Sequence, residues 1–160
     1  MNLIEEKEKL IEQLSAILDS KEKEAKKNSK IAQNMANEAE GAMISRYDTF
    51  KEEGQYLAGG LKKRHEEIKS QIMVFNKIKN TSLKVNEKVE LFSIVNVEFN
   101  DGTIEQYFIC PVLSGEKVNG KTIISLNTPL GKLLLGKKEG DEFVLKIQNK
   151  VREGEIVEIK

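Results

Sequence analysis

Residues 124–147, ISLNTPLGKLLLGKKEGDEFVLKI, decide how the second half of this chain is read. Thr128-Pro129 opens a short helix, because threonine caps free N–H groups and proline fits the first helical position, where no N–H is needed. Leu130, Leu133 and Leu134 supply the helix with an apolar face, and Gly136 stands where a helix closes. Gly140-Asp141 then turns the chain into EFVLKI, a strand, and GEIVEIK at the C-terminal end is another.

Working back from this stretch, VELFSIVNVEFN and TIEQYFICPVL are rich in β-branched and aromatic residues, with Asp101-Gly102 between them. That dipeptide between apolar runs signals a hairpin, and Asn119-Gly120 marks a second turn before TIISL. The sum is about five strands and one short helix, an α+β arrangement with a mainly antiparallel sheet. The pattern begins near residue 80, which places one domain at 1–79 and another at 80–160.

The first domain has a different grammar. Residues 1–77 contain no proline, and Ile4, Ile11, Leu18, Ala25, Ala32 and Ala39 recur at seven-residue spacing. Leu14 fills an intervening position, and Leu3, Leu10 and Ile17 widen the stripe. A second run steps by threes and fours through Tyr47, Phe50, Gly54, Leu57, Leu61, Arg64, Ile68, Gln71 and Phe75. Two such stripes joined near residues 37–43 predict an antiparallel coiled-coil hairpin. Arms of about 33 residues would reach roughly 50 Å. Its tip is acidic: no basic residue lies between Lys30 and Arg46, whereas Glu38 and Glu40 do, and Asp48 follows. Carboxylates suit a hard divalent cation, which keeps several waters and needs only one or two protein ligands, or they suit a basic partner. A solvated turn carrying two glutamates is the plainer alternative.

Composition narrows the classes. The 160 residues carry 26 basic and 26 acidic side chains, split 14 and 14 through Lys77 and 12 and 12 beyond it. Neither half is a polybasic surface for nucleic acid or anionic membrane. No run approaches the roughly 18 apolar residues of a membrane span, and MNLIEEKEKLIEQ lacks the apolar core of a signal peptide, so the chain reads as cytoplasmic. The single cysteine, Cys110, excludes an internal disulfide framework or a cysteine-based zinc site, and in an apolar strand it reads as a packed thiol. The single histidine, His65, lies mid-helix with no serine or acid arranged around it, and reads as a surface or flanking residue. There is no glycine-rich phosphate cradle. A self-contained enzyme is not indicated; if the chain takes part in catalysis, it does so by lending groups to another protein's active site.

The 124–147 stretch resembles the Gre transcript-cleavage factors of bacterial RNA polymerase, whose second domain, of FKBP-like fold, carries I-S-x-x-S-P-x-G/A-x-x-L-x-G-K-x-x-G-D. Ile124, Ser125, Pro129, Gly131, Leu134, Gly136, Lys137, Gly140 and Asp141 match, with Thr128 for serine. The same family has an N-terminal antiparallel coiled coil of similar length. The resemblance implies that the C-terminal domain docks at the rim of the polymerase secondary channel, through Thr128, Pro129, Gly131, Lys132, Leu135, Gly136, Lys137, Gly140 and Asp141. It implies that the coiled coil passes down the channel, where Glu40 and Glu38 act at the tip. Glu40 would share the catalytic Mg²⁺ of the polymerase, the chain having no cofactor of its own.

Aligned on Tyr47, Lys51 and Glu52, the family's tip pattern D-L-S-E-N-A-E-Y puts Glu40 at the first acid, Met43 at the second and Arg46 at the third. Methionine does not ligate Mg²⁺. The leading expectation is therefore a Gre-like elongation regulator that occupies the secondary channel with weak or absent cleavage activity. One alternative is an active cleavage factor using Glu40 with Glu38 or Asp48. Another is a hairpin chaperone or adaptor with a non-polymerase partner. The expected partners are RNA polymerase and, indirectly, the nascent RNA 3′ end, with no membrane and no small-molecule substrate, and the chain is expected to be a monomer.

Overall fold

The computed structural model describes residues 2–38 and 48–160, the side chains at 38 and 48–51 excepted. Two long helices come first, α1 (Leu3–Glu38) and α2 (Asp48–Ile78). Then follow β1 (Ile94–Phe99), β2 (Ile104–Ile109), β3 (Lys117–Val118), β4 (Lys121–Ile124), α3 (Pro129–Leu134), β5 (Glu142–Ile147) and β6 (Lys150–Ile159). The chain divides into two compact units, Ser15–Asn76, and Met1–Leu14 with Lys77–Lys160.

In the helical unit α1 and α2 run antiparallel. Gly54 faces Ala36, and the His65 imidazole lies 2.8 Å from the Glu22 carboxylate. The α1 side of the seam follows the heptad reading, with Leu18, Ala25 and Ala32 buried and Ala36 beside them. The α2 side corrects it. Ala58, Ile68 and Phe75 are buried, while Leu57 is 58% exposed and Arg64 faces solvent. The seam steps through Gly54, Ala58, Leu61, His65, Ile68, Ile72 and Phe75, a regular three-four alternation in which His65 holds an inner position rather than a surface one. Ala58 is the residue turned inward there, and its neighbour Leu57 is turned out. The hydrogen bond from His65 holds the Glu22 carboxyl below the usual carboxylate range.

In the β-rich unit the strand order is β3-β4-β2-β1-β6-β5. Four of the five pairings are antiparallel, and β2 pairs β4 in parallel. The sheet thus has six strands where the sequence reads five. The added strand, β3, is a two-residue arm of the Asn119-Gly120 hairpin, too short to leave a periodic signal. Asn119 and Gly120 take φ of 51° and 76°, the left-handed values that a tight two-residue turn demands. Val95, Val97, Phe99, Ile109, Ile156 and Ile159 form the inner face of the sheet, closed by Leu134 of α3.

The base of α1 belongs to this unit. Lys7 is fully buried, and its ammonium donates to the Lys84 carbonyl at 2.7 Å and to Asn86 Oδ1 at 2.6 Å. Asn86 in turn donates to Glu90, which pairs with Lys84 at 2.9 Å. Glu6 pairs with the buried Lys121 at 2.8 Å, and Gln13 exchanges amide hydrogen bonds with Asn119. Polar clasps therefore fix the start of α1 to the loop before β1 and to the β3–β4 hairpin.

Candidate functional site

The strand β4, the turn after it and α3 build the 124–147 segment from the chain upward. Thr128 caps α3 as expected: its hydroxyl accepts from the Gly131 N–H at 3.1 Å and donates to the Ser125 carbonyl at 2.7 Å. Pro129 takes the first turn, where its missing N–H costs nothing. Gly131 packs directly on the turn before it. A β-carbon there would sit 2.0 Å from the Ser125 carbonyl oxygen and 2.9 Å from Leu126 Cα, so only glycine fits. Beyond α3, Gly136 takes φ 76° and donates to the Val89 carbonyl at 2.9 Å, and the Lys137 carbonyl accepts from Val89 at 2.8 Å. Gly140, at φ 86°, donates to the Ile156 carbonyl. The Asp141 carboxylate closes the turn by accepting from the Lys138 N–H at 2.8 Å.

The nine candidate docking residues therefore divide by what they touch. Thr128, Gly131, Gly136, Lys137, Gly140 and Asp141 are engaged, through side chain or backbone, in holding the segment together. Pro129, Lys132 and Leu135 are exposed, and Leu135 shows 53% of its surface. A cation and two apolar side chains thus stand on one short helix and its exit, fixed from beneath.

At the other candidate site, Glu40, Met43, Arg46 and Tyr47 lie outside the described residues. Glu38 is the last residue of α1 and Asp48 the first of α2, described by their backbone alone. Among the described residues no three His, Cys, Asp or Glu side chains are grouped to hold a metal ion. Burial pushes the Cys110 thiol up to about 11, so at neutral pH it is a packed, protonated group. Among the described residues no helix is long and apolar enough to cross a membrane.

Sequence reasoning missed the Lys7, Asn86 and Glu90 network. Its signal is faint: a lysine seven residues before Leu14, at a position where the repeat places a core side chain.

Comparison with known proteins covers both units. The family described as Transcription elongation factor, GreA/GreB, C-term, matches residues 84–160. The chain is similar to transcription elongation factor GreA of Bacillus licheniformis, 30% identical over 139 residues that span 87% of this chain and 82% of the relative. It is similar also to GreA of Shouchella clausii, 29% identical over 157 residues, 98% of this chain and 93% of the relative. Among solved structures it resembles Thermus aquaticus Gfh1, at 19% identity and a TM-score of 0.42, across 90% of this chain and 92% of the other.

Proposed function

The chain belongs to the GreA/GreB family of transcription elongation factors, and from that premise we propose that it regulates elongation by binding bacterial RNA polymerase at the secondary channel. The observation that carries this reading is the docking segment, where Pro129, Lys132 and Leu135 stand exposed on a helix that Thr128 and Gly131 lock in place. An apolar side chain left in solvent beside a cation suits a contact with an apolar centre and a charged rim. The helical hairpin would then carry its acidic tip down the channel.

At the tip, Glu40 with Glu38 would bring carboxylate oxygens to the polymerase's own Mg²⁺, a hard cation that needs few protein ligands. Met43 holds the family's second acidic position, and a thioether does not replace a carboxylate there. The reading is a factor that occupies the channel and changes elongation while stimulating RNA cleavage little. The chemistry remains that of the polymerase, and the nascent RNA 3′ end is met only through it.

The test is RNA 3′-end cleavage in backtracked elongation complexes, with the natural chain and with Met43→Glu. The natural chain is expected to leave cleavage near the rate of polymerase alone, and Met43→Glu to raise it by tenfold or more, the scale on which a lost metal ligand or charge stabiliser acts. Strong cleavage by the natural chain, abolished by Glu40→Ala, would instead make Glu40 with Glu38 or Asp48 a working set. If neither chain altered cleavage, the assigned tip would be wrong.

A further inference from the structure

We infer that the free edge of β5 is a self-recognition surface, through which two copies of the chain pair their β5 strands antiparallel about Val144 into one continuous sheet. The inference is independent of the polymerase reading.

Among the described residues β5 ends the strand order and is bonded only to β6. The hydrogen-bond parity of β6 fixes which way the β5 backbone points. Ile156 exchanges bonds with Gly140 and Asp141, whereas the Glu153 carbonyl is taken by Asn100 on the opposite side. Even-numbered residues of β6 therefore bond toward β5, and their partners Phe143 and Leu145 bond inward. Glu142, Val144 and Lys146 are left with their N–H and C=O groups aimed at the open edge, and their side chains are exposed. An open edge of this kind is a template for another strand.

The sequence along the edge selects the occupant. With two copies antiparallel and centred on Val144, Glu142 faces Lys146 of the second copy, Val144 faces Val144, and Lys146 faces Glu142. All three are pairs that exchange both backbone bonds, six main-chain hydrogen bonds in total by the antiparallel pattern. Sliding the pair by two residues sets Val144, 44% exposed, against a charge, and sliding by four sets like charges together. Only the centred register matches charge with charge and valine with valine. A lone edge lysine guards against pairing. Here the glutamate four residues before it turns the guard into a selector.

A second observation points to the same occupant. Glu98, Glu155 and Glu142 stand opposite one another across β1, β6 and β5, a row of like charges that disfavours the isolated sheet. Among the described residues none of the three forms an ion pair, and neither does Lys146. The second copy's Lys146 would be added at the end of that row, as the cation it lacks.

The contact is small, so the dimer is weak, with a dissociation constant on the order of 100 μM. Sedimentation velocity of the full chain from micromolar to millimolar concentration is the test. The natural chain is expected to pass from monomer to dimer across this range. Glu142→Lys and Lys146→Glu, each reversing both symmetric pairs, should weaken dimerisation by about tenfold or more without changing the circular dichroism spectrum. An equimolar mixture of the two variants should regain dimers, since each then meets its opposite charge. Val144→Pro, whose N–H points outward, should abolish pairing while the fold survives. A monomer at every concentration would overturn the inference. So would a dimer indifferent to the charge reversals, which would use another face, or mixed variants that stay apart.

Discussion

Lys7 occupies a position where the seven-residue repeat calls for a core side chain, and it is fully buried without being apolar. Burial lowers its ammonium from the ordinary 10.5 to about 8, with Glu90 and Glu6 opposing the shift and Lys84 adding to it. Below about pH 8 both folded and unfolded chains hold the proton, and the folded state bears the cost of a buried charge. Between about 8 and 10.5 the unfolded chain keeps a proton that the folded chain has released, so rising pH favours folding. Urea denaturation of the natural chain against Lys7→Met is expected to show the natural chain gaining stability relative to the variant across that window. Parallel curves would mean that the ammonium is not held as its burial implies. Apart from its place in the repeat, nothing in NLIEEKEKL distinguishes Lys7 from Lys9, which is exposed. The distinction comes from Asn86 and the Lys84 carbonyl, more than seventy residues along the chain, as the hydrogen bonds record.

At the scale of the element, α3 shows what a short motif can and cannot disclose. Its cap, its proline and its terminal glycine were legible, because capping chemistry acts within three or four residues. The hairpin turns at Asp101-Gly102 and Asn119-Gly120 were legible for the same reason. Gly131 carries no such local signature, and its role appears only when the turn at Ser125 lies against it. Gly131→Ala, with its new methyl 2.0 Å from a backbone oxygen, is expected to cost about 3 kcal/mol or more in equilibrium unfolding. An unchanged midpoint would mean that the turn and helix part readily. The α2 seam reads correctly from sequence at Gly54, Leu61, Ile68 and Phe75 and misses Ala58 and His65. Leu57 is the more hydrophobic residue, yet it is exposed and its neighbour Ala58 is buried. The parallel pairing of β2 with β4 and the two-residue β3 likewise depend on contacts that no periodicity encodes.

For the whole molecule, the sequence separates a heptad-patterned half from a β-branched half, and both patterns persist because each follows from which faces must leave water. The structure adds that α1 as far as Leu14 is compact with the β-rich unit, tied by Lys7, Glu6 and Gln13. Within the candidate docking segment it separates residues that build the surface from those that present it. The family motif alone could not do so, because Gly131 and Leu135 stand in one short run yet face different surroundings. Pro129, Lys132 and Leu135 are consequently the positions at which a partner would be felt without loss of the fold. Occupation of the RNA polymerase secondary channel by this chain is open to a competition experiment. Elongation complexes would be loaded with a fluorescent GreA factor and titrated with this chain and with Leu135→Asp. Displacement of GreA by the natural chain is expected, with at least tenfold weaker displacement by the folded variant. Retention of GreA at saturating concentrations of the natural chain would contradict it.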